Sequence, residues 1–333
     1  MALNFPYPVL VSDVGGTNAR FAIVPERGDE LVPLPAQKTS AHADFSSAAL
    51  MALGGRQVRS LMLSAAGPCE GRRIKLTNAA WVLEADAIVD CLKLDQGMMF
   101  NDFEAQALSL PALQPSWLAP IGPQNADAHG TRLIHGPGTG LGTAALLNVD
   151  GRYLPVASES GHMDFAPVST DEHLYWPYIE RRLGRITAET LISGAGITRL
   201  HRARMASQGH PRPETSAAQI VAAALADHAS FEAETIRAFW LLVGRFAGDM
   251  AITFVATGGV TLAGGILPRI FEFCDAKTFR AAFEDKAPYR AIMERIPVQL
   301  LIKPDTVLAG LARIAAHPRD YALNEVERMF VLA

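Results

Sequence analysis

Val9-Leu10-Val11-Ser12-Asp13-Val14-Gly15-Gly16-Thr17-Asn18-Ala19-Arg20-Phe21-Ala22-Ile23 reads as two strands joined by one turn. Val9 to Val11 is a β-branched apolar run and Ala19 to Ile23 resumes one, so a hairpin turning at Gly15-Gly16 is expected. Paired glycines permit positive φ and carry no Cβ over the turn, which lets backbone N–H groups approach a ligand. N–H groups converging on one concavity form an anion nest. Thr17, Asn18 and Arg20 add a hydroxyl, an amide and a positive charge, all suited to phosphate oxygens. Asp13 disfavours a bare phosphate and makes sense beside one only if a divalent cation lies between them, as Mg²⁺ does when it takes carboxylate and phosphate oxygens together. An ordinary Gly-Gly hairpin beside an Asp fits the same stretch equally well.

A chain of 333 residues has room for about two domains. With 49% of residues hydrophobic and 19% charged, it has the composition of a globular protein with a large core. A net charge of −4 without any basic run argues against an extended nucleic-acid surface. Cys69, Cys91 and Cys274 are far apart and odd in number, so neither a disulfide framework nor a Cys-rich zinc site is expected. Buried thiols in a reducing, cytoplasmic setting are the reading. The start, Met1 to Pro6, has no basic n-region and no apolar h-region of a signal peptide. Ala238 to Ile266, the most apolar long stretch, is interrupted by Arg245 and Asp249 and reads as a buried helix entering a core strand rather than a membrane span.

Along the chain, strands and helices alternate as in an α/β domain. A helix over Phe45–Leu53 stops at Gly54-Gly55, Ser60 to Ala66 is a buried strand, Arg72 to Leu76 another, and Leu83 to Leu92 a helix. Trp81 is either a packing residue or a ligand platform. The strand Gly97 to Phe100 ends at Asn101-Asp102, and ligand groups in open α/β sheets collect beyond strand carboxyl ends. After the helix Phe103 to Leu110, the segment Leu113 to His129, with Pro115, Pro120 and Pro123, has the composition of a connector, placing a boundary near Pro111. Leu133-Ile134 then enters Gly136-Pro137-Gly138-Thr139-Gly140-Leu141-Gly142-Thr143, which exits into the strand Ala144 to Asn148. This repeats the logic of the first hairpin and points to two related halves, each offering a nest to one polyphosphate. Neither Gly-x-Gly-x-x-Gly nor a P-loop occurs, which disfavours both of those folds.

Further on, Glu159 and His162 face one pocket if the chain turns at Gly161, or His162 is structural. Asp171 to Leu183 reads as a helix capped by Ser169 or Thr170. Glu189, in an apolar helix-like segment, is either solvated or a pocket carboxylate. Ser193-Gly194-Ala195-Gly196 opens a helix to Ala206, Pro211-Arg212-Pro213 is a break, and Ser216–Asp227 and Ser230–Val255 are long helices. The strand framed by Gly258-Gly259 and Gly264-Gly265 allows a flat adenine or ribose against backbone, or close helix-to-strand packing. Val298 to Ile302 is a strand, and a terminal helix from Thr306 to His317 returns to the first domain.

Taken in order, Asp13-Val14-Gly15-Gly16-Thr17-Asn18-Ala19-Arg20, Asn101-Asp102-Phe103, Gly138-Thr139-Gly140-Leu141-Gly142, Glu159-Ser160-Gly161-His162-Met163-Asp164-Phe165 and Gly264-Gly265-Ile266 resemble the bacterial glucokinase family over nearly the whole chain. Phe279-Arg280-Ala281-Ala282-Phe283-Glu284-Asp285-Lys286 is similar to that family too. The resemblance implies an α/β fold of two ribonuclease H-like lobes around a central cleft, of the actin-like ATPase and hexokinase type. Residues 1–111 would form the small lobe, completed by a C-terminal helix over 305–333, and 112–304 the large one. It implies ATP-dependent phosphorylation of the C6 hydroxyl of glucose. Asp102 would be the general base and Asn101 a sugar ligand, with Glu159, His162 and Glu189 on the remaining hydroxyls and Asn78 a weaker candidate. Asp13, Gly15, Gly16, Thr17 and Asn18 would serve the phosphates, with Asp13 reaching Mg²⁺ through water. Gly138, Thr139 and Gly140 would stand opposite, and Gly264 and Gly265 at the nucleoside. Ser12 and Ser160 stand where the family's pattern leads one to expect glycine.

Elementary chemistry supports such an assignment. Phosphoryl transfer asks mainly for positioning and charge neutralisation, and a carboxylate at the acceptor hydroxyl orients it and takes its proton. A hexose presents vicinal hydroxyls that several Asp, Glu, Asn and His side chains are needed to pair. Closure excluding water would need a hinge, expected near Pro111 and Lys303-Pro304. The alternatives are a kinase for another hexose, a sugar-responsive regulator, or an actin-like or chaperone ATPase. Against the regulator stand the lack of a basic helix-turn-helix before Val9 and of a Cys-rich zinc motif. No nucleic-acid or membrane partner is expected, and the long apolar helices of the second half leave room for a homodimer.

Overall fold

The apolar run at the start forms strand β1 (Val9–Val14), which returns through the glycine turn as β2 (Asn18–Val24), paired antiparallel from Val9↔Val24 to Val14↔Ala19. The computed structural model describes residues 4–28, 30–211, 214–323 and 328–331. The chain divides into two units: the first holds residues up to Pro115, Leu146–Val156 and those from Lys303 on, the second Ser116–Ala145 and Ala157–Ile302.

In the first unit β2 also pairs with β3 (Val32–Pro33), while β4 (Ser60–Ala65) runs parallel to β1 and β5 (Gln96–Asn101) parallel to β4. The order is β3-β2-β1-β4-β5, with Met329–Val331 added antiparallel at the β5 edge. All of β4 and nearly all of β1 are buried, as parallel strands covered on both faces should be. Helix α1 (Phe45–Leu53) starts at a reciprocal Asp44–Ser47 capping box and stops at Gly54 in the left-handed region, φ 57°. It packs Phe45 on Phe21 within a core that includes Leu10, Val14, Leu61, Leu63 and Met99. Helix α2 (Ala85–Leu92) buries Ala85, Ile88, Val89 and Leu92. Cys91 falls on its other face and is exposed, and Cys69 and Cys274 are only partly buried, which corrects the expectation of buried thiols. Helix α3 (Asp102–Ser109) and the helix Thr306–Ala316 pack against each other. The α-helix Thr306–Ala316 does not run on to the chain end as expected: it stops at Ala316, and Met329–Val331 is a strand. Of the segment 305–333, residues 324–327 and 332–333 lie outside the described residues, as do Arg212 and Pro213.

The second unit repeats the strand order. Strands β6 (Arg132–Pro137), β7 (Leu141–Val149), β8 (Arg152–Ser158), β9 (Gly259–Leu262) and β10 (Val298–Leu301) lie as β8-β7-β6-β9-β10, with β6, β9 and β10 parallel. The weak repeat between the glycine turns is thus a repeat of topology. β7 leaves the unit beyond Ala145 and β8 re-enters at Ala157. Leu118–Pro120, expected as connector, forms a strand antiparallel to β10 at the sheet edge, where proline is tolerated.

Helix α4 (Thr170–Tyr175), capped by Ser169, is shorter than expected. Pro177 interrupts the helical hydrogen bonding, and Leu183 and Gly184, both at positive φ, reverse the chain between Arg182 and Arg185. There follow α5 (Ala188–Leu191), α6 (Gly194–Ser207), α7 (Ala217–Ala226), α8 (Phe231–Thr253) and α9 (Ala276–Glu284). Among the described residues, none of the helices is long and apolar enough to cross a membrane. The Phe279–Lys286 motif is scaffold: Phe279 and Phe283 are buried, and the Arg280 guanidinium donates to the carbonyls of Met293 and Ile296 while pairing with Glu284.

Gly244 and Gly248 let α9 lie directly on α8, since a Cβ at Gly248 would sit 2.3 Å from the Phe283 carbonyl oxygen. Alanine there gains at most about 1 kcal/mol of helix propensity, whereas overpacking against an immovable backbone carbonyl costs about 1–3 kcal/mol. Gly248→Ala is therefore expected to lower unfolding stability in urea, and a stabilised variant would show that α9 can shift away.

Candidate active site

Register gathers the polar residues of the first unit. Asp13 pairs with Ser64 across β1 and β4, and Ala65 with Asn101 across β4 and β5, so Asp13 and Asn101-Asp102 stand at one sheet edge. Asp13 is largely buried; Ser64 Oγ donates to its Oδ1 at 3.1 Å and Arg20 Nη1 to its Oδ2 at 3.3 Å. Arg20 continues to Asp305 at 2.8 Å, at the start of the last helix. Burial pushes the Asp13 carboxyl above its ordinary range, against the pull of Arg20 and Ser64.

The turn itself is tightly held. Gly15 N donates to Asn18 O at 2.9 Å, Thr39 Oγ1 donates to Gly16 O at 2.7 Å, and Thr39 N donates to Thr17 O at 3.0 Å. Neither glycine has positive φ. Gly16 is needed for close approach instead, because a Cβ there would lie 2.8 Å from Asn78 Cβ. Thr17, Asn18 and Asn78 are exposed. Trp81 is packing: it is buried and donates its Nε1–H to His42 O. Ser12 Oγ and Ser160 Oγ are both buried without a hydrogen-bond partner among the described residues.

Asn101 caps α3, its Oδ1 accepting from the N–H groups of Phe103 at 3.0 Å and Glu104 at 3.4 Å, while its Nδ2 donates to Gly67 O at 2.9 Å. Asp102 is the first residue of that helix and half-buried. Burial raises its carboxyl from 3.8 to about 6, helped by the negative charge of Asp13 and opposed by the backbone N–H of Phe103. A carboxylate so placed is a proton acceptor near neutral pH.

In the second unit the Gly138–Gly140 turn is closed by Gly138 N donating to Gly140 O at 2.8 Å, and Gly194 N, at the start of α6, donates to Gly138 O at 2.9 Å. Glu189 accepts the N–H of Leu141 at 3.0 Å, and a Cβ at Gly140 would lie 2.4 Å from its Oε2. Glu189 is therefore neither solvated nor idle; it braces the turn. Gly161 presses on the same strand, its would-be Cβ 2.4 Å from Leu141 O. The resulting turn sets His162 Nε2 4.0 Å from Glu159 Oε2, with both side chains well exposed. Gly264, at φ 88°, lies against Pro137, whose carbonyl oxygen would be 2.5 Å from a Cβ. The glycine turn, the start of α6 and Gly264-Gly265 thus converge. Beside them a mainly apolar cavity of about 290 Å³ is lined by Gly194 and Ile197 of α6, Val221 and Leu225 of α7, and Ile266 and Arg269. The sequence reading missed these lining residues; the Ser193-Gly194 helix start was their one local signal.

A model of the family described as Glucokinase matches residues 10–318. The chain is 39% identical over 323 residues to the glucokinase of Rhizobium meliloti (strain 1021), covering 96% of this chain and 95% of that one. It is 38% identical over 324 residues to the glucokinase of Brucella suis biovar 1 (strain 1330), covering 96% and 94%. The crystal structure of a glucokinase from an Antarctic psychrotroph superposes with a TM-score of 0.84 at 28% identity, covering 93% of this chain and 99% of that one. That of the Balamuthia mandrillaris glucokinase in complex with glucose gives 0.74 at 22%, covering 92% and 93%, a likeness of fold. On the extent of these matches, the chain belongs to the glucokinase family.

Proposed function

We propose that the protein is a cytoplasmic glucokinase that transfers the γ-phosphoryl group of ATP to the C6 hydroxyl of glucose. The observation that carries the mechanism is Asp102, a half-buried carboxylate at the start of α3, directly after the end of β5. Asp102 takes the proton of the attacking hydroxyl, while Asn78, Asn101, Glu159, His162 and Glu189 pair the remaining hydroxyls. The Glu189 carboxylate accepts the Leu141 N–H with one oxygen and keeps lone pairs for a hydroxyl donor, which supports it as a sugar ligand. Gly15, Gly16, Thr17 and Asn18, and Gly138, Thr139 and Gly140, serve the phosphates. The apolar cavity beside Gly264 and Gly265 takes the adenine, as its lining suits a flat ring.

Among the described residues no group of three or more His, Cys, Asp or Glu side chains could form a metal cage. Both Asp13 oxygens already accept one hydrogen bond each. The residues fit a Mg²⁺ ion that would come with the nucleotide, and Asp13, which keeps free lone pairs, is the residue that would reach it through water. The ion's chemistry is to neutralise charge on the phosphates.

A coupled assay for ADP with ATP, Mg²⁺ and a panel of hexoses tests the reading. Equal rates on several hexoses would demote glucose, and ATP hydrolysis without sugar would point to an ATPase. Asp102→Asn is expected to lower kcat by a factor of roughly 10² to 10⁴ while sugar affinity stays within a few-fold; near-normal turnover would refute the base. Because the base works ionised, kcat/KM is expected to fall as pH drops through about 6, and the limb should vanish in Asp102→Asn. Complete chelation of divalent cations should abolish turnover, and activity surviving it would remove the role given to Asp13.

A further inference from the structure

We propose that Arg328, acting through Glu104, is a positioning residue for the Asp102 carboxylate, so that the end of the chain holds the base in place. The inference rests on the reading of Asp102 as the base. Asp102 and Glu104 are the first and third residues of α3. Asn101 Oδ1 accepts the N–H groups of Phe103 and Glu104, so Glu104 belongs to the capped first turn that carries Asp102.

Glu104 is 4% exposed. A carboxylate so enclosed needs a charged partner, and the partner is the Arg328 guanidinium. The last helix, packed against α3, supplies none: its one ionisable side chain, Arg313, pairs with Asp320 at 2.8 Å. Tyr321 offers α3 only its hydroxyl, which donates to Leu108 O at 3.4 Å. The other charges near Asp102 are Asp13 on β1 and, through it, Arg20 and Asp305.

Arg328 is itself well anchored. The residues after it pair with β5, Met329↔Met98, Phe330↔Gly97 and Val331↔Gln96, along the strand that ends at Asn101. Phe330 is fully buried, and a Cβ at Gly97 would lie 2.5 Å from its ring. Nothing in the chemistry assigned to ligands uses Glu104 or Arg328, yet a buried ion pair is maintained within one helical turn of the base. Without Arg328, an unpaired carboxylate would press on Asp102 and loosen the cap; without Glu104, an unpaired guanidinium would do the opposite electrostatically.

The test uses Arg328→Gln, Glu104→Gln, the double variant and Arg328→Lys in the full chain, with kcat, KM for glucose, the pH profile of kcat/KM and thermal unfolding measured for each. Arg328→Gln is expected to lower kcat about tenfold with KM little changed, the scale of a sub-ångström misplacement. It should move the acid limb to higher pH, Glu104→Gln should move it to lower pH, and the double variant should return towards the parent. Arg328→Lys should recover part of kcat. A purely structural pair would shift thermal unfolding but leave the limb in place, or move it the same way in both single variants, and either result overturns the proposal. Should Arg328→Gln fail to fold, the sign of the Glu104→Gln shift and its cancellation in the double variant decide. If the limb survives in Asp102→Asn, the base reading has failed; if it vanishes there yet ignores Arg328 and Glu104, only the coupling has.

Discussion

Parallel strands in register arrive at one edge together, and the residue following each strand must find its partners there. In the first unit this brings Asp13 beside Ser64 and Asn101 beside Ala65. In the second, β6, β9 and β10 end together, with His135 level with Leu262 and Leu262 with Leu300. The chain leaving β6 must then pass the chain leaving β9 at backbone distance. A Cβ at Gly136 would lie 2.1 Å from Ala263 O, and one at Gly264 2.5 Å from Pro137 O. These glycines are demanded by contact between strand ends, and that contact draws the glycine turn, the start of α6 and the apolar cavity together.

Charge in the first unit follows from the same crowding. Asp13, Asp102 and Glu104 are all raised by burial. Arg20 answers Asp13 and Arg328 answers Glu104, each through a direct ion pair. Asp102 is compensated by the backbone N–H groups at the start of α3 and by the Asn101 amide. Hydrogen-bond donors hold a carboxylate in place without removing its affinity for a proton as fully as a bound guanidinium does.

What could be read from the sequence was local. The Asp13 hairpin, the strand ending at Asn101-Asp102 and the second glycine turn all announce themselves by apolar runs meeting glycine or polar residues, and the repeat of hairpins foreshadowed the repeat of strand order. Facts that depend on distant segments were not legible. Gly16 is fixed by Asn78, Glu189 by Leu141, and Gly97 by Phe330, none of them near in sequence. Cys91 was misread because apolar composition does not say which helix face a residue takes. Leu118–Pro120 was misread because prolines that mark a connector also suit an edge strand.

The balance at Asp102 shows why burial restrained by backbone N–H groups is the useful arrangement for a base. At its ordinary 3.8 the carboxylate would be ionised at neutral pH but a feeble acceptor for an alcohol proton; carried far above 7 it would be protonated and useless. At about 6 it remains mostly ionised in a neutral medium while being markedly more basic. Desolvation alone would carry the group upward, and the N–H groups at the start of α3 restrain it. A guanidinium in contact, as at Asp13, would favour the ionised form further and weaken the base. The helix start gives intermediate restraint, because its N–H groups are partial charges fixed by the backbone. Seating the acid at the first position of α3 thus sets its basicity and its direction with the same few atoms.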